Sequence, residues 1–136
     1  MILVNLVLTS MLTCLIWLIQ ILHYPSFRYV SHEAFTSFEA FHTRSISYIV
    51  MPLMLAELGT SIYLFVFNPK SYLFGICLLI VVLIWASTFL FSIPCHNILS
   101  QRHDSAIIEK LISTNWFRTI LWTSKFLILI KGVSNE

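Results

Sequence analysis

The stretch YLFGICLLIVVLIWASTFLFSI, residues 72–93, decides the fold, because it runs for 22 residues without a charged side chain. A helix needs about 20 mainly apolar residues to cross the hydrocarbon core of a bilayer, so this stretch is long enough for one crossing. Residues 1–23, 45–67 and 105–130 are of similar length and mainly apolar. We therefore predict an all-α integral membrane protein, an up-and-down bundle of four membrane-spanning helices.

The composition of the whole chain agrees with this class. Hydrophobic residues make up 58% of the 136 residues and charged residues only 10%, and the mean hydropathy is +0.87. Four spans of about 20 residues use most of such a chain, so we expect a single transmembrane domain over residues 1–136. The net charge of +2 includes no basic run, which argues against a nucleic-acid partner. Cys14, Cys77 and Cys95 are isolated, and we expect free thiols.

The segments between the predicted spans set their boundaries. Residues 1–22 have neither the basic start nor the cleavage site of a signal peptide, so we expect them to be a retained first span. Residues 24–44 are rich in aromatic and titratable side chains, which favours an interfacial helix or an extension of the second span. Asn68-Pro69 predicts a turn, Pro94 an end to the third span, and Lys131-Gly132 an end to the fourth.

Basic residues give an orientation. Lysines and arginines are more numerous near the first and third loops than near the second loop and the C-terminus; the four near the first and third loops are Arg28, Arg44, Arg102 and Lys110. Because basic loops stay on the cytoplasmic side, we predict that both termini are non-cytoplasmic in an inner-membrane or plasma-membrane type of bilayer.

Polar side chains recur on one face of each predicted helix. At 100° per residue, Thr9, Thr13, Gln20 and His23 fall within an arc of about 80°. Similar arcs contain Trp85, Thr88, Ser92 and His96 in the third span, and Asn115, Arg118, Trp122 and Lys125 in the fourth. Polar groups in hydrocarbon must face protein or water, so we expect these faces to converge on the axis of the bundle.

Three histidines are predicted to lie at the same end of the bundle. His23 ends the first span, His42 precedes the second and His96 follows the third. Three imidazoles could bind iron, copper or zinc, or ligate a haem axially, and we take them as candidate metal ligands. The alternative is that each histidine is an interfacial residue bonded to a carbonyl or a headgroup. Glu57 lies about 22 Å along a straight helix from His42, so its carboxylate belongs deeper.

A family resemblance can be added to these patterns. It is carried by His23-Tyr24-Pro25, Phe41-His42-x-Arg44, Pro52-x-Met54, Pro94-Cys95-His96-Asn97-x-Leu99 and Asn115-Trp116-x-Arg118-Thr119. This order resembles small four-helix membrane proteins related to anthrone oxygenases. The resemblance marks Pro94, Asn97, Asn115 and Arg118 as family positions and leaves the histidines unexplained. Tyr24-Pro25, Phe38, Arg44 and Pro52 carry a weaker likeness to the bacterial membrane protoporphyrinogen oxidase.

Both resemblances imply oxidation of a lipid-soluble aromatic compound inside the bundle. We expect Arg118, Asn115 and Glu57 to be the catalytic residues, with Arg118 steadying an enolate or phenolate. The histidines would either bind a metal or deprotonate a substrate that then reacts with oxygen directly. The alternatives are a small transporter or metal or haem carrier, with Glu57, Arg118 and Lys125 on its path, and a non-catalytic membrane subunit. Besides the bilayer and an aromatic small molecule, another copy of the chain is an expected partner.

Overall fold

The structure is a computed structural model that describes residues 1–134, and the chain in it is almost entirely helical. Helix α1 is Ile2–Tyr29, α2 is His32–Phe67 and α3 is Tyr72–Leu99, and α4 is Ser105–Ser134. Three of these helices, α1, α2 and α3, are long and apolar enough to cross a membrane, as a multi-pass membrane protein requires. Helix α4 is equally long but carries more charge, with Glu109, Lys110, Arg118, Lys125 and Lys131 in its sequence.

Helices α1 and α2 extend into the region predicted as an interfacial segment. Between Tyr29 and His32 only Val30 and Ser31 are outside a helix, so residues 24–44 do not form a separate element. The physical reason is burial of the aromatic side chains. Phe27 and Phe35 are fully buried and pack edge-to-face with ring centroids 5.9 Å apart. These two side chains therefore belong to the bundle core. Of the two alternatives drawn from the sequence, the extension of the second helix is the one observed.

Both helices that contain a proline near their end pass through a π-helical turn first. Ile19–His23 is π-helical just before Pro25, and Thr88–Ser92 is π-helical just before Pro94. In an ordinary helix the proline ring collides with the carbonyl four residues earlier. Those carbonyls belong to Ile21 and Leu90, which lie inside the π turns, where the wider backbone accommodates the ring. The prediction that Pro94 ends the third helix is therefore wrong, since α3 continues to Leu99.

The end of α4 also differs from expectation, because the helix continues through Lys131-Gly132 to Ser134. Gly132 lies against the start of α3. A Cβ at this position would come within 2.7 Å of Leu73 Cδ1, so a side chain here would require the end of the Leu73 side chain to move.

The four helices form a bundle in which each helix contacts two neighbours. Helix α1 packs on α2 and α4, and α3 packs on the same two helices. The core has two parts. The part near the histidines consists of Ile19, Tyr24, Phe27, Phe35, Cys95, Leu99, Ile108 and Leu111. The other part consists of Leu12, Ile16, Met54, Ile80, Ile84 and Trp122.

The polar stripes predicted from the sequence face the interior. Thr9, Thr13 and Gln20 of α1 are buried, as are Ser92 of α3 and the four stripe residues of α4, namely Asn115, Arg118, Trp122 and Lys125. The prediction that these faces turn inward is confirmed for these side chains. Cys14, Cys77 and Cys95 are free thiols; Cys77 and Cys95 are buried, whereas Cys14 is exposed.

We predict that Phe27→Ala destabilises the bundle, whereas Tyr29→Ala, two residues further on, does not. Phe27 is fully buried and Tyr29 is 89% exposed. Removing a buried phenylalanine ring leaves a cavity that costs about 3–5 kcal/mol, while an exposed ring leaves none. The measurement is the midpoint of thermal unfolding in mild detergent, and equal midpoints for the two variants would contradict the packing described here.

Candidate functional site

His23 and His42 form a directly bonded pair where α1 meets α2. His23 Nε2 and His42 Nδ1 are 2.7 Å apart, and the two ring centroids are separated by 4.2 Å. One of these nitrogens donates and the other accepts. The two remaining ring nitrogens are His23 Nδ1 and His42 Nε2. If both rings are neutral, one of these is an N–H donor and the other is an acceptor, whichever tautomers are present. Such a pair can take up one proton from a bound molecule.

His96 is held between a carboxylate and a phenol. Its Nδ1 lies 2.5 Å from Glu39 Oε1, and its Nε2 lies 3.1 Å from the Tyr24 hydroxyl. Glu39 is completely buried, and its Oε2 has no hydrogen-bond partner within residues 1–134. The contacts on both ring nitrogens fix the orientation of the His96 imidazole.

The structure thus places the three predicted histidines together. The His42 and His96 rings are 5.6 Å apart between centroids, and we name His23, His42, His96, Glu39 and Tyr24 the histidine cluster. Phe27 and Phe38 line it, with ring centroids 5.4 Å and 6.2 Å from that of His23. Helical continuity through the two π turns and through the start of α2 is what brings α1, α2 and α3 to this point.

The cluster as arranged does not fit a three-histidine metal centre. Both nitrogens of His96 are occupied by Glu39 and Tyr24, and His23 and His42 are bonded to each other. Across residues 1–134, the side chains of His, Cys, Asp and Glu form no group of three or more placed to hold a metal ion. A separation of 4.2 Å between the His23 and His42 rings also leaves no space for a porphyrin between them.

Two grooves reach the cluster from opposite sides of α2. The α1–α2 groove has a volume of about 220 Å³ and is lined by Leu15, Leu18, Ile19, His23, Phe38, Phe41, His42, Ser45, Ile46 and Ile49. The α2–α3 groove has a volume of about 260 Å³ and is lined by Thr43, Ile46, Ser47, Ile93, His96, Asn97 and Ser100. The first is apolar apart from the histidine pair and Ser45, while the second has more polar side chains in its lining.

Arg118 lies deeper in the bundle than the cluster. It is buried, its Nη1 donates to Ser92 Oγ at 2.7 Å, and its guanidinium lies 5.3 Å from the centre of the Trp122 ring. It is also close enough to the Tyr24 hydroxyl for its charge to act on that group. Its Nε has no hydrogen-bond partner among the described residues. The adjoining cavity is about 10 Å³, close to the smallest space that holds one water molecule.

Asn115 belongs to the same deep layer as Arg118. Its Nδ2 donates to Gln20 Oε1 at 2.8 Å, and Gln20 in turn donates to the Ile112 carbonyl at 3.1 Å. The amide of Gln20 thus ties α1 to α4 just below the cluster. Neither Asn115 nor Arg118 lines either of the two grooves.

Glu57 lies in the other half of the bundle and pairs with Lys125. Lys125 Nζ donates to Glu57 Oε1 at 2.8 Å, and both side chains are almost completely buried. Thr9 donates to the same oxygen at 2.9 Å, and Trp122 Nε1 donates to Oε2 at 3.1 Å. Both carboxylate oxygens have partners, so Glu57 joins α1, α2 and α4.

Sequence reasoning missed Glu39 and Tyr24 as members of the polar interior. A signal for Glu39 was present, because Phe35, Glu39 and His42 follow one another at spacings of four and three residues on one helix face. His32 and His103, which lie in polar sequence, stack on each other outside the cluster with ring centroids 3.8 Å apart.

The fold and its contacts define a four-helix protein with a buried polar interior and a histidine cluster at one end. Comparison with protein-family models, with curated proteins and with solved structures gives no match for this chain. The resemblance to anthrone oxygenase-like proteins stays a prediction from the residues.

We predict that Lys125→Met destabilises the protein more than the double variant Glu57→Leu, Lys125→Met. The single change leaves the Glu57 carboxylate without its cation in the core, which costs about 3–5 kcal/mol, whereas replacing both charges by apolar groups is often nearly neutral. Thermal unfolding in detergent measures both. If the double variant unfolds at the same temperature as the single variant, the ion pair does not hold these helices together.

Proposed function

We propose that this protein is a membrane enzyme that oxidises a lipid-soluble, enolisable aromatic compound, with the His23–His42 pair as proton acceptor and dioxygen as oxidant. The observation that supports it most directly is the bonded imidazole pair at the head of an apolar groove. His23 and His42 line the α1–α2 groove, so a molecule bound there meets titratable nitrogens without leaving an apolar environment.

The arrangement in the bilayer is part of the proposal. All four helices would span the membrane in up-and-down order, including α4, because its charged residues Arg118 and Lys125 are buried inside the bundle. Between residues 116 and 130 the exposed side chains of α4 are apolar and suit contact with lipid; they are Trp116, Phe117, Ile120, Leu127 and Ile130. The α1–α2 groove would then open sideways toward the acyl chains.

The proposed chemistry needs a base and a group that stabilises the charge it acquires. The outer acceptor nitrogen of the His23–His42 pair takes a proton from the substrate methylene and leaves an enolate. The enolate reduces dioxygen, so that the methylene becomes a carbonyl and the second oxygen atom leaves as water. In this proposal the opposing negative charge comes from Glu39, which is buried and bonded to the neighbouring His96.

Arg118, Asn115 and Glu57 have supporting roles in this proposal. Arg118 is placed to act on the Tyr24 hydroxyl, which bonds to His96 Nε2, so its charge reaches the cluster through Tyr24. Asn115 and Glu57 would hold the helices in register. The three-histidine metal site is not the version that we propose, because the nitrogens of His96 are already bonded to protein groups.

The transporter alternative would require Glu57, Arg118 and Lys125 to line a path through the bundle. Glu57 and Lys125 are instead buried and bonded to each other and to Thr9, Ser61 and Trp122. This arrangement does not support that alternative.

The test uses anthrone, a flat aromatic ketone with an acidic methylene, and the purified protein in mild detergent. We expect oxygen uptake together with formation of the corresponding quinone. His23→Gln and His42→Gln should each lower the rate by about 10²-fold or more, because a lost general base typically costs that much. His32→Gln and His103→Gln are the matched controls, since these rings lie outside the cluster.

A chelator separates the two versions of the chemistry. Turnover that persists after treatment with EDTA agrees with direct reaction with oxygen, whereas turnover that is lost and then restored by one added metal would favour a metal centre. Wild-type rates in a folded His42→Gln variant would overturn the proposed role of the histidine pair.

A further inference from the structure

We propose that the α1–α2 groove binds the apolar chain of an amphipathic aromatic compound in its phenol form, so that the substrate is an enolisable aromatic ring system carrying an alkyl or prenyl tail. This inference deepens the proposed function and rests on it for the chemical step, but the binding it predicts can be measured without turnover.

The polar side chains of the α1–α2 groove are concentrated near one end. Its titratable side chains, His23 and His42, lie together at one end, and Ser45 is the other polar side chain in its lining. The remaining lining side chains are aliphatic or aromatic. A ligand that fills this groove must therefore have one polar group and an apolar body, with the polar group at the histidines.

The α1–α2 groove is longer than a single aromatic ring. Leu15 is eight residues before His23 on α1, and Ile49 is seven residues after His42 on α2. At 1.5 Å per residue the groove therefore extends roughly 10–12 Å from the imidazoles along both helices. A single ring with its hydroxyl at the histidine pair occupies only the upper part of this distance. An apolar chain attached to the ring would fill the rest.

The α1–α2 groove is also open along its side. Leu18 and Ile49 are each 55% exposed and Phe41 is 70% exposed, although all three line the groove. In a bilayer these exposed surfaces meet acyl chains, so the end of a long tail continues into the lipid. The ring position is more selective, because Phe38 and Phe41 form an aromatic wall beside His42.

The α2–α3 groove provides a contrast on the same helix. Thr43, Ser47, Asn97 and Ser100 lie in its lining beside His96, so polar side chains are spread along this groove and are not confined to one end. Ser45 and Ser47 are two residues apart on α2 but line different grooves. They therefore provide a matched pair of positions for blocking one groove at a time.

The experiment is photo-cross-linking of the whole protein in detergent or in vesicles of a neutral phosphatidylcholine. The probe is a phenol with a ten-carbon chain that carries a diazirine near its end, and the comparison compound has the same chain without the hydroxyl group. We expect the phenol to label peptides that contain Leu15, Leu18 or Ile49. Ser45→Phe should lower this labelling by about tenfold or more, because the added ring overfills the groove. Ser47→Phe should leave it unchanged.

The histidine pair supplies a second comparison. His42→Gln should lower labelling by the phenol and leave labelling by the comparison compound unchanged. Equal labelling by the two compounds in the wild-type protein would mean that the groove holds ordinary acyl chains only, which overturns the inference. Labelling confined to peptides of the α2–α3 groove, such as those with Ile93 or Asn97, would overturn it as well.

Failure of this inference can be distinguished from failure of the proposed function. Specific labelling without any oxygen uptake would support the binding site and contradict the proposed oxidation. Oxygen uptake with anthrone, but no labelling by the chain-bearing phenol, would support the proposed oxidation and contradict the inference that the substrate carries a tail.

Discussion

Lys125 donates to Glu57 across 2.8 Å in a part of the bundle where neither side chain is exposed. The contact joins α4 to α2, which are not neighbours along the chain, and Thr9 adds α1 to the same carboxylate. Two buried charges tolerate little displacement, because moving them apart would leave each one unpaired in a medium of low polarity. The pair therefore sets the rotation of α4, and this rotation turns Trp122, Arg118 and Asn115 toward the interior.

The buried polar groups of the interior differ in how completely they are bonded. Both carboxylate oxygens of Glu57 have donors. Other groups lack a partner among the described residues, namely Asn5 Oδ1 beside Glu57, Asn115 Oδ1 and Arg118 Nε in the middle layer, and Glu39 Oε2 in the cluster. Buried polar groups are normally bonded, so unfilled capacity is a feature that needs an explanation. Fully bonded groups hold the helices together, whereas groups with remaining capacity can respond to a ligand or a proton.

The two π turns connect this interior to the proposed chemistry. Each lies directly before a proline, and the helix that follows continues to the residues that form the cluster. His23 is the last residue of the first π turn, and His96 follows the second by four residues. A wider turn shifts the phase of every later side chain, and π turns are frequent at functional sites for this reason. The prolines therefore help to determine which face of α1 and α3 carries the imidazoles.

The sequence by itself determined the class of protein and much of its interior. Uncharged stretches such as residues 72–93 determine helices of membrane-spanning length, because the bilayer has a fixed thickness. The helical repeat determines that Thr9 and Gln20 share a face, and burial requires that this face turn inward. Only the tertiary structure decided which polar group meets which. Glu39 of α2 bonds to His96 of α3, and Glu57 of α2 bonds to Lys125 of α4. These pairings depend on the relative depth and rotation of the packed helices. The helical repeat of 100° per residue gives neither the depth nor the rotation of a packed helix. It also misplaces the side chains that follow a π turn, because that turn adds a residue to the helix.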